Sequence, residues 1–328
     1  MPKTPDDWPE VVFRGGAITS AGIGEGEVAA LIRELAQGIG DEPVPIVRRL
    51  VVADMPNYAE AIRAELGGRR GPTHTDRPEY RGVAQTIPTA HDDGTIDQTI
   101  VICSGPVAAA LDCSTAIEPF MPKGLALYLL RHELAHCIDH LRRGIGIRVS
   151  FSTRDAFSVA RVCDYYRPIL MTELAACVFA GADLDDETFD LLMSLDQDPL
   201  ESELQRVLDQ RMLYVTRLSR DLHALALEAA GHFWFVLIQF AKVFGHMVGA
   251  KRTQASVGHP PSIAHQPDAL AALRRLSELI GERVMTYPDW PEEGWLELDE
   301  IWSDLAACFG FQFEATDAGD ALWLEDID

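Results

Sequence analysis

Apolar residues in the first 150 positions follow two periods, and each period predicts a different kind of element. Runs rich in Val, Ile and Leu predict strands, while apolar residues three to four positions apart predict helices. This order of elements indicates an α+β lobe over residues 1–150, in which a small mixed sheet carries the last helix. Strands are expected near residues 11–19, 46–53, 82–87 and 95–104, and helices near residues 27–37, 56–66 and 123–143.

From residue 151 onward the pattern is nearly all helical, which predicts a mainly helical lobe over residues 151–328. Pro168 lacks a backbone N–H and is expected to end or bend a helix. The acidic tail from residue 288 holds four of the six tryptophans, so we expect it to cover an apolar surface. Helices are expected near residues 168–181, 199–224, 225–250 and 268–280, with the two long ones paired as a hairpin.

The helix expected at residues 123–143 contains His132, Glu133 and His136 in the pattern H-E-x-x-H. Residues four positions apart lie on one face of a helix, so both imidazoles project in the same direction. Two imidazole nitrogens placed in this way can bind one zinc ion, and Glu133 lies beside them to polarise a water on the metal. The sequence therefore predicts a zinc site on this helix.

Two histidines need a third protein ligand to hold zinc firmly. Glu173 is the only charged residue between positions 168 and 182, and an ionised carboxylate on so apolar a helix is costly to bury without a nearby cation. Zinc would supply that cation. The alternative is that Glu173 faces solvent or pairs with Arg167. Asp155 and Asp164 are reserve ligands in more polar surroundings.

Asp139 and His140 follow the motif on the same helix. A helix rises about 1.5 Å per residue, so His140 lies roughly 12 Å along the axis from His132. That separation is too large for two residues that must share an ion through bonds of about 2 Å. Asp139 fails as a ligand for the same reason, but it faces the ligand side and can orient an imidazole.

The H-E-L-A-H sequence of residues 132–136, followed by T-E-L-A-A at residues 172–176, resembles the gluzincin branch of the zincin metallopeptidases. The resemblance covers roughly residues 25–180 and implies a zincin-like fold for the first lobe. In that family two histidines and a downstream glutamate bind zinc, and the glutamate inside the motif is the general base. By position these roles fall to His132, His136 and Glu173 as ligands and to Glu133 as base.

Within that branch, G-H-P-P at residues 258–261 is similar to the His-Pro-Pro element of the HtpX and CAAX-protease group. The lobe of a sheet followed by a helix is similar to the ImmA/IrrE-type peptidases. Hydrolysis at such a site needs one donor besides the metal to stabilise the oxyanion. Tyr165, Tyr166 and His259 are the candidates. Tyr166 would share a face with Glu173 if the helix continued through Pro168.

Composition narrows the classes of function. A formal charge of −23 argues against nucleic-acid binding, which needs a basic face. The six cysteines lie mostly in apolar runs without a C-x-x-C pair, and the first ten residues do not form a signal peptide, so we expect a cytoplasmic protein. Residues 229–249 are long enough for a membrane span, but a polar stripe along them favours a buried helix with one polar edge.

Together these features predict a zinc metallopeptidase in which Glu133 activates a zinc-bound water for attack on a peptide bond. The strand at residues 95–104 is expected to offer an exposed edge that aligns an extended peptide. Two alternatives remain open at this point. One is a binding or regulatory module of the same fold, whose zinc site is inactive or blocked by the tail. The other is a zinc hydrolase that acts on a non-peptide amide.

Overall fold

Four strands form a mixed sheet in the first part of the chain. The computed structural model describes residues 9–39, 47–67, 76–77, 80–91, 94–113, 117–143, 158–216, 222–252, 261–316 and 319–324. The elements up to the H-E-x-x-H helix are β1 (Glu10–Arg14), α1 (Ala17–Ser20), α2 (Glu25–Gln37), β2 (Arg49–Ala53), α3 (Met55–Leu66), β3 (Asp76–Arg77), β4 (Tyr80–Arg81), β5 (Ala84–Ala90), β6 (Ile96–Cys103), α4 (Ser104–Ala110) and α5 (Lys123–Arg143).

The strand order is β1-β2-β6-β5, with β1, β2 and β6 parallel and β5 antiparallel to β6. The expectation that β6 offers an exposed edge is therefore wrong, because β6 lies between β2 and β5. Its run of Ile100, Val101 and Ile102 is buried on both faces, as a central strand requires. β5 pairs with β6 and forms one edge of this four-stranded sheet.

Alternating side chains of β2 explain why helices cover both faces of the sheet. Leu50 and Val52 pack in a buried cluster with Leu130 and Leu134 of α5. Val51 and Ala53 belong to a second cluster with residues of α3. Strand side chains point to opposite faces in turn, so one apolar strand supports two separate layers. The α5 helix thus packs on the sheet, and its observed bounds match the predicted residues 123–143.

The later elements are mainly helices. The α6 helix continues through Pro168, so the expectation that a helix ends there is wrong, and the alternative of a bend stays a prediction. A proline inside a helix costs about 3 kcal/mol, and buried side chains before and after Pro168, including Val162 and Leu170, offset that cost. These elements are α6 (Val159–Gly181), α7 (Asp186–Val215), α8 (Leu222–Gly249), α9 (Pro261–Ala264), α10 (Pro267–Val284), α11 (Glu297–Cys308), β7 (Phe311–Thr316) and β8 (Gly319–Leu324).

The predicted start of the first long helix at residue 199 is also wrong, since α7 begins at Asp186. The second long helix, predicted over residues 225–250, agrees closely with α8. The tail contains α11 and the β7–β8 hairpin, neither of which the pattern indicated. Its Trp302 is buried, donates a hydrogen bond to Ala230 O at 3.2 Å and stacks on Trp234, so this part of the tail covers α8 as expected.

The chain divides into two compact units. The first comprises residues 1–150, 175–192 and 248–252, and the second comprises residues 151–174, 193–247 and 253–328. Within the first unit, Tyr128 of α5 packs with Ala180 and Leu192 in a buried cluster. The end of α6 is therefore part of the unit that contains the sheet and α5.

The α8 helix is the candidate for a membrane span among the described residues. Its segment Leu225–Gly249 is long and apolar enough by length and composition, and 61% of the best window is buried inside the protein. Gln239 and His246 are 3% and 1% exposed, while His232 and Lys242 are half-buried. The polar stripe therefore runs along a helix that the protein itself largely covers.

Candidate metal centre

His132 and His136 lie one turn apart on α5, with both imidazoles buried. Their Nε2 atoms are 3.0 Å apart, and the rings meet edge to face with centroids 4.6 Å apart. Zinc–nitrogen bonds of about 2.0–2.1 Å in a tetrahedral site would place two such nitrogens about 3.3 Å apart. The pair is therefore close to the separation that a shared ion needs. A direct hydrogen bond between neutral imidazoles also suits this distance.

The carboxylate of Glu173 is the third member of this cluster. One ligand atom each from His132, His136 and Glu173 all lie within 4.8 Å of one another. Glu173 lies on α6, and Cys177, one turn further along this helix, lies near Tyr128 and His132 in the first unit. The structure brings together the three side chains that the sequence predicted as ligands.

The alternative partner of Glu173 is engaged elsewhere. Arg167 Nε donates to Asp299 Oδ1 at 3.2 Å, and its Nη1 donates to Asp164 Oδ1 at 3.4 Å. The pKa of Arg167 is shifted upward: burial lowers it, but the bonds to Asp299 outweigh burial. The reserve ligand Asp164 is mostly exposed and paired with this arginine. The other reserve, Asp155, lies outside the described residues.

Glu133 is buried beside His132 and receives a hydrogen bond from the sheet. Thr86 Oγ1 of β5 lies 2.6 Å from Glu133 Oε2 and 3.1 Å from Glu133 O. The carboxylate is the stronger acceptor, so the single hydroxyl proton of Thr86 goes to Oε2. Sequence reasoning missed Thr86. The available signal was a polar residue in the phase of β5 that faces α5, although a strand position alone does not say which helix side chain it meets.

Further along α5, Asp139 and His140 have partners of their own. Asp139 is 0% exposed and accepts two hydrogen bonds from Arg143, one of them from Nε to Oδ1 at 2.6 Å. His140 Nδ1 lies 3.3 Å from Gln98 Oε1 of β6. Burial lowers the pKa of His140 to about 4, so it is neutral at neutral pH. His140 is not a member of the metal-binding group, as its distance from His132 along the helix axis predicted.

Of the three predicted oxyanion donors, the structure describes the two tyrosines. Tyr166 shares the continuous α6 with Glu173, but its ring stacks on Trp234 with centroids 6.1 Å apart. A Cβ atom at Gly231 would lie 2.9 Å from its hydroxyl, so Tyr166 packs tightly against α8. Burial raises the pKa of Tyr165. His259 lies outside the described residues, and the donor role of each candidate stays a prediction.

The donor set suits zinc, since imidazole nitrogen and carboxylate oxygen are ligands that it prefers. Three protein ligands leave a fourth position for water or substrate, which is the arrangement of catalytic sites rather than structural ones. Comparisons of the chain with protein family models, with curated proteins and with solved structures find no match. The site is thus a cluster of two buried histidines and one half-buried glutamate, with a second glutamate, Glu133, beside it.

Proposed function

We propose that this protein is a zinc-dependent peptidase, with His132, His136 and Glu173 as the residues that hold the ion. The observation that carries the proposal is the meeting of these three side chains within 4.8 Å, next to a buried Glu133 on the same helix. When bound, the ion would polarise the substrate carbonyl and lower the pKa of a coordinated water to about 7.

Glu133 is the general base of the proposed reaction. Its carboxylate takes a proton from the attacking water and passes it to the leaving amine, so the peptide bond breaks with no net proton change on the protein. The hydrogen bond from Thr86 to Oε2 holds the carboxylate in one orientation. A base held in one orientation loses less conformational freedom at the moment of proton transfer.

The edge of the sheet supports a peptide as the substrate. β5 pairs with β6 along one side, and no other described strand pairs with its second side. An extended peptide can add to such an edge through main-chain hydrogen bonds. Because Thr86 belongs to β5 and touches Glu133, a peptide on this edge would run beside the base. The edge that serves this purpose is β5, not the β6 strand that the sequence favoured.

Metal analysis and peptide cleavage test the proposal together. We expect about one zinc ion per chain and cleavage of a mixed peptide library that stops on treatment with a chelator. Glu133→Gln should keep its zinc and lose cleavage, because glutamine has the shape of glutamate but cannot take a proton. Library cleavage by Glu133→Gln at the wild-type rate would contradict the assigned base.

The same experiment separates the alternatives. A chain that binds zinc but cleaves no peptide fits the regulatory or binding module, and release of cleavage by removal of residues 288–328 would assign the tail as the blocking segment. Hydrolysis of small amides without peptide cleavage fits a zinc hydrolase that acts on a non-peptide amide. A chain that binds no zinc overturns the metal centre, and the close imidazole pair is then a hydrogen bond between histidines.

A further inference from the structure

A tyrosine and a cysteine surround the side of His132 that faces away from the cluster. Tyr128 lies one turn before His132 on α5, and its hydroxyl is 3.3 Å from His132 Nδ1. Cys177 of α6 contributes Sγ, which lies 3.7 Å from the Tyr128 hydroxyl and 3.8 Å from Nδ1. All three side chains are buried and belong to the first unit. Cys177 is not a member of the metal-binding group of the described residues.

The contact between Tyr128 and His132 affects metal binding through the position of one imidazole proton. A neutral imidazole carries one proton, so binding of an ion through Nε2 requires that proton to be on Nδ1. A buried Nδ1–H needs an acceptor, and the Tyr128 oxygen is nearer to it than Cys177 Sγ. The hydroxyl proton of Tyr128 then points to Cys177 Sγ, so the His132 proton and the Tyr128 proton each have an acceptor.

The opposite arrangement of the same protons disfavours a metal. If Tyr128 donates its hydroxyl proton to Nδ1, the proton of His132 must sit on Nε2. That Nε2–H then points to Nε2 of His136, 3.0 Å away. The direction of one hydroxyl therefore distinguishes a metal-binding pair of imidazoles from a hydrogen-bonded pair.

We propose that Tyr128 is a positioning residue of the metal centre, and that its hydroxyl, backed by Cys177, fixes the tautomer in which His132 Nε2 can bind the ion. The proposal rests on the zinc centre proposed above but not on peptidase activity. Tyr128 acts through His132 and does not touch the ion or the substrate. Outer partners of this kind affect metal affinity by about 10- to 100-fold.

The variant Tyr128→Phe isolates the hydroxyl. The ring of Tyr128 packs with Ala180 and Leu192, and phenylalanine keeps that packing while it removes the oxygen. Tyr58→Phe is the matched control, because Tyr58 is equally buried but lies on α3 in the cluster on the other face of the sheet. Circular dichroism and thermal unfolding of the metal-free proteins show whether both variants fold.

The measurement is the zinc dissociation constant, obtained by competition with a chelating dye. We expect Tyr128→Phe to bind zinc about 10- to 100-fold more weakly than wild type and Tyr58→Phe to match wild type. Equal affinities of wild type and Tyr128→Phe would overturn the proposal. A wild type that binds no zinc would overturn both the zinc centre and this inference, and a wild type that binds zinc without cleaving peptides leaves this test intact.

A spectroscopic measurement on the unaltered protein does not depend on any variant. Long-range proton–nitrogen spectra of the zinc-loaded protein, labelled with nitrogen-15 in histidine, report which ring nitrogen of His132 carries the proton. We expect a proton on Nδ1. A proton on Nε2 in the zinc-loaded state would contradict the proposed direction of the hydrogen bonds.

Discussion

The helices α5 and α8 both carry polar side chains within apolar sequence, but they space them differently. On α5 the two histidines of the motif are four residues apart, while on α8 His232, Gln239 and His246 are seven residues apart. Four residues bring two nitrogens to 3.0 Å, whereas seven residues separate side chains by about 10 Å along the axis. Spacing therefore allows the two histidines of α5 to serve one ion, whereas His232, Gln239 and His246 of α8 are too far apart to share one.

His232 illustrates the second outcome. Its Nδ1 is hydrogen-bonded to Glu203 of α7, whose side chain is only 3% exposed, and Arg206 Nη1 lies 2.6 Å from the same carboxylate. A buried carboxylate with two such partners is satisfied without a metal. We infer that His232 with Glu203 joins two helices, whereas His132 and His136 of α5 are the pair placed to share an ion.

Substitution of one motif histidine should remove zinc altogether. His136→Ala leaves one imidazole and one carboxylate, which is too small a ligand set for a stable site. His232→Ala is the control, since it removes a histidine from the other helix. We expect metal analysis after gel filtration to find no zinc in His136→Ala and the wild-type amount in His232→Ala. Full zinc content in His136→Ala would place the ion elsewhere.

Loss of Glu173 should weaken zinc binding without abolishing it, because both imidazoles remain. The affinity of Glu173→Ala should fall by more than the roughly 10- to 100-fold that an outer partner contributes. Asp164→Ala provides the comparison, since Asp164 is on the same helix but pairs with Arg167. Dye competition measures both variants. If Asp164→Ala lost affinity and Glu173→Ala did not, the reserve ligand would be the true one.

The α5 helix and Glu173 could be predicted from sequence because their signals are local. Apolar positions repeat at helical spacing over residues 123–143, and a single charge in an apolar run indicates a buried partner for Glu173. The edge strand was assigned wrongly, although a signal existed. The β6 strand is apolar at consecutive positions, which is typical of a central strand, whereas β5 mixes polar and apolar residues.

Other features depend on contacts that no local pattern contains. The Thr86–Glu133 bond joins residues 47 positions apart, and the Tyr128–Cys177 contact joins residues 49 positions apart. The α4 helix contains Gly105 and Pro106, which usually mark loops, yet a proline in the first turn is compatible with a helix. Continuation of α6 through Pro168 likewise depends on tertiary packing, which propensity does not include.

Removal of the Thr86 hydroxyl should slow the reaction and leave the metal in place. A hydrogen bond to a charged group contributes about 1.5–3 kcal/mol, so Thr86→Val should lower kcat by roughly 10- to 100-fold. Thr86→Ser keeps the hydroxyl and should restore most of the rate. Thr89→Val, on the opposite face of β5, is the control. A drop in zinc content with kcat unchanged would assign Thr86 to the metal instead of the base.

The smallest effect is expected at the junction of α7 and α8. Glu203→Gln keeps the shape of the side chain but removes the charge that Arg206 and His232 share, and weakening such bonds lowers the free energy of unfolding by about 1–3 kcal/mol. Urea unfolding measures the loss, with Glu201→Gln of the same helix as a half-buried control. Zinc affinity should stay at the wild-type value, because none of these side chains belongs to the metal-binding group. Weaker zinc binding with unchanged stability would mean that the polar residues of α8 serve the ion as well, and the division between the two helices would fail.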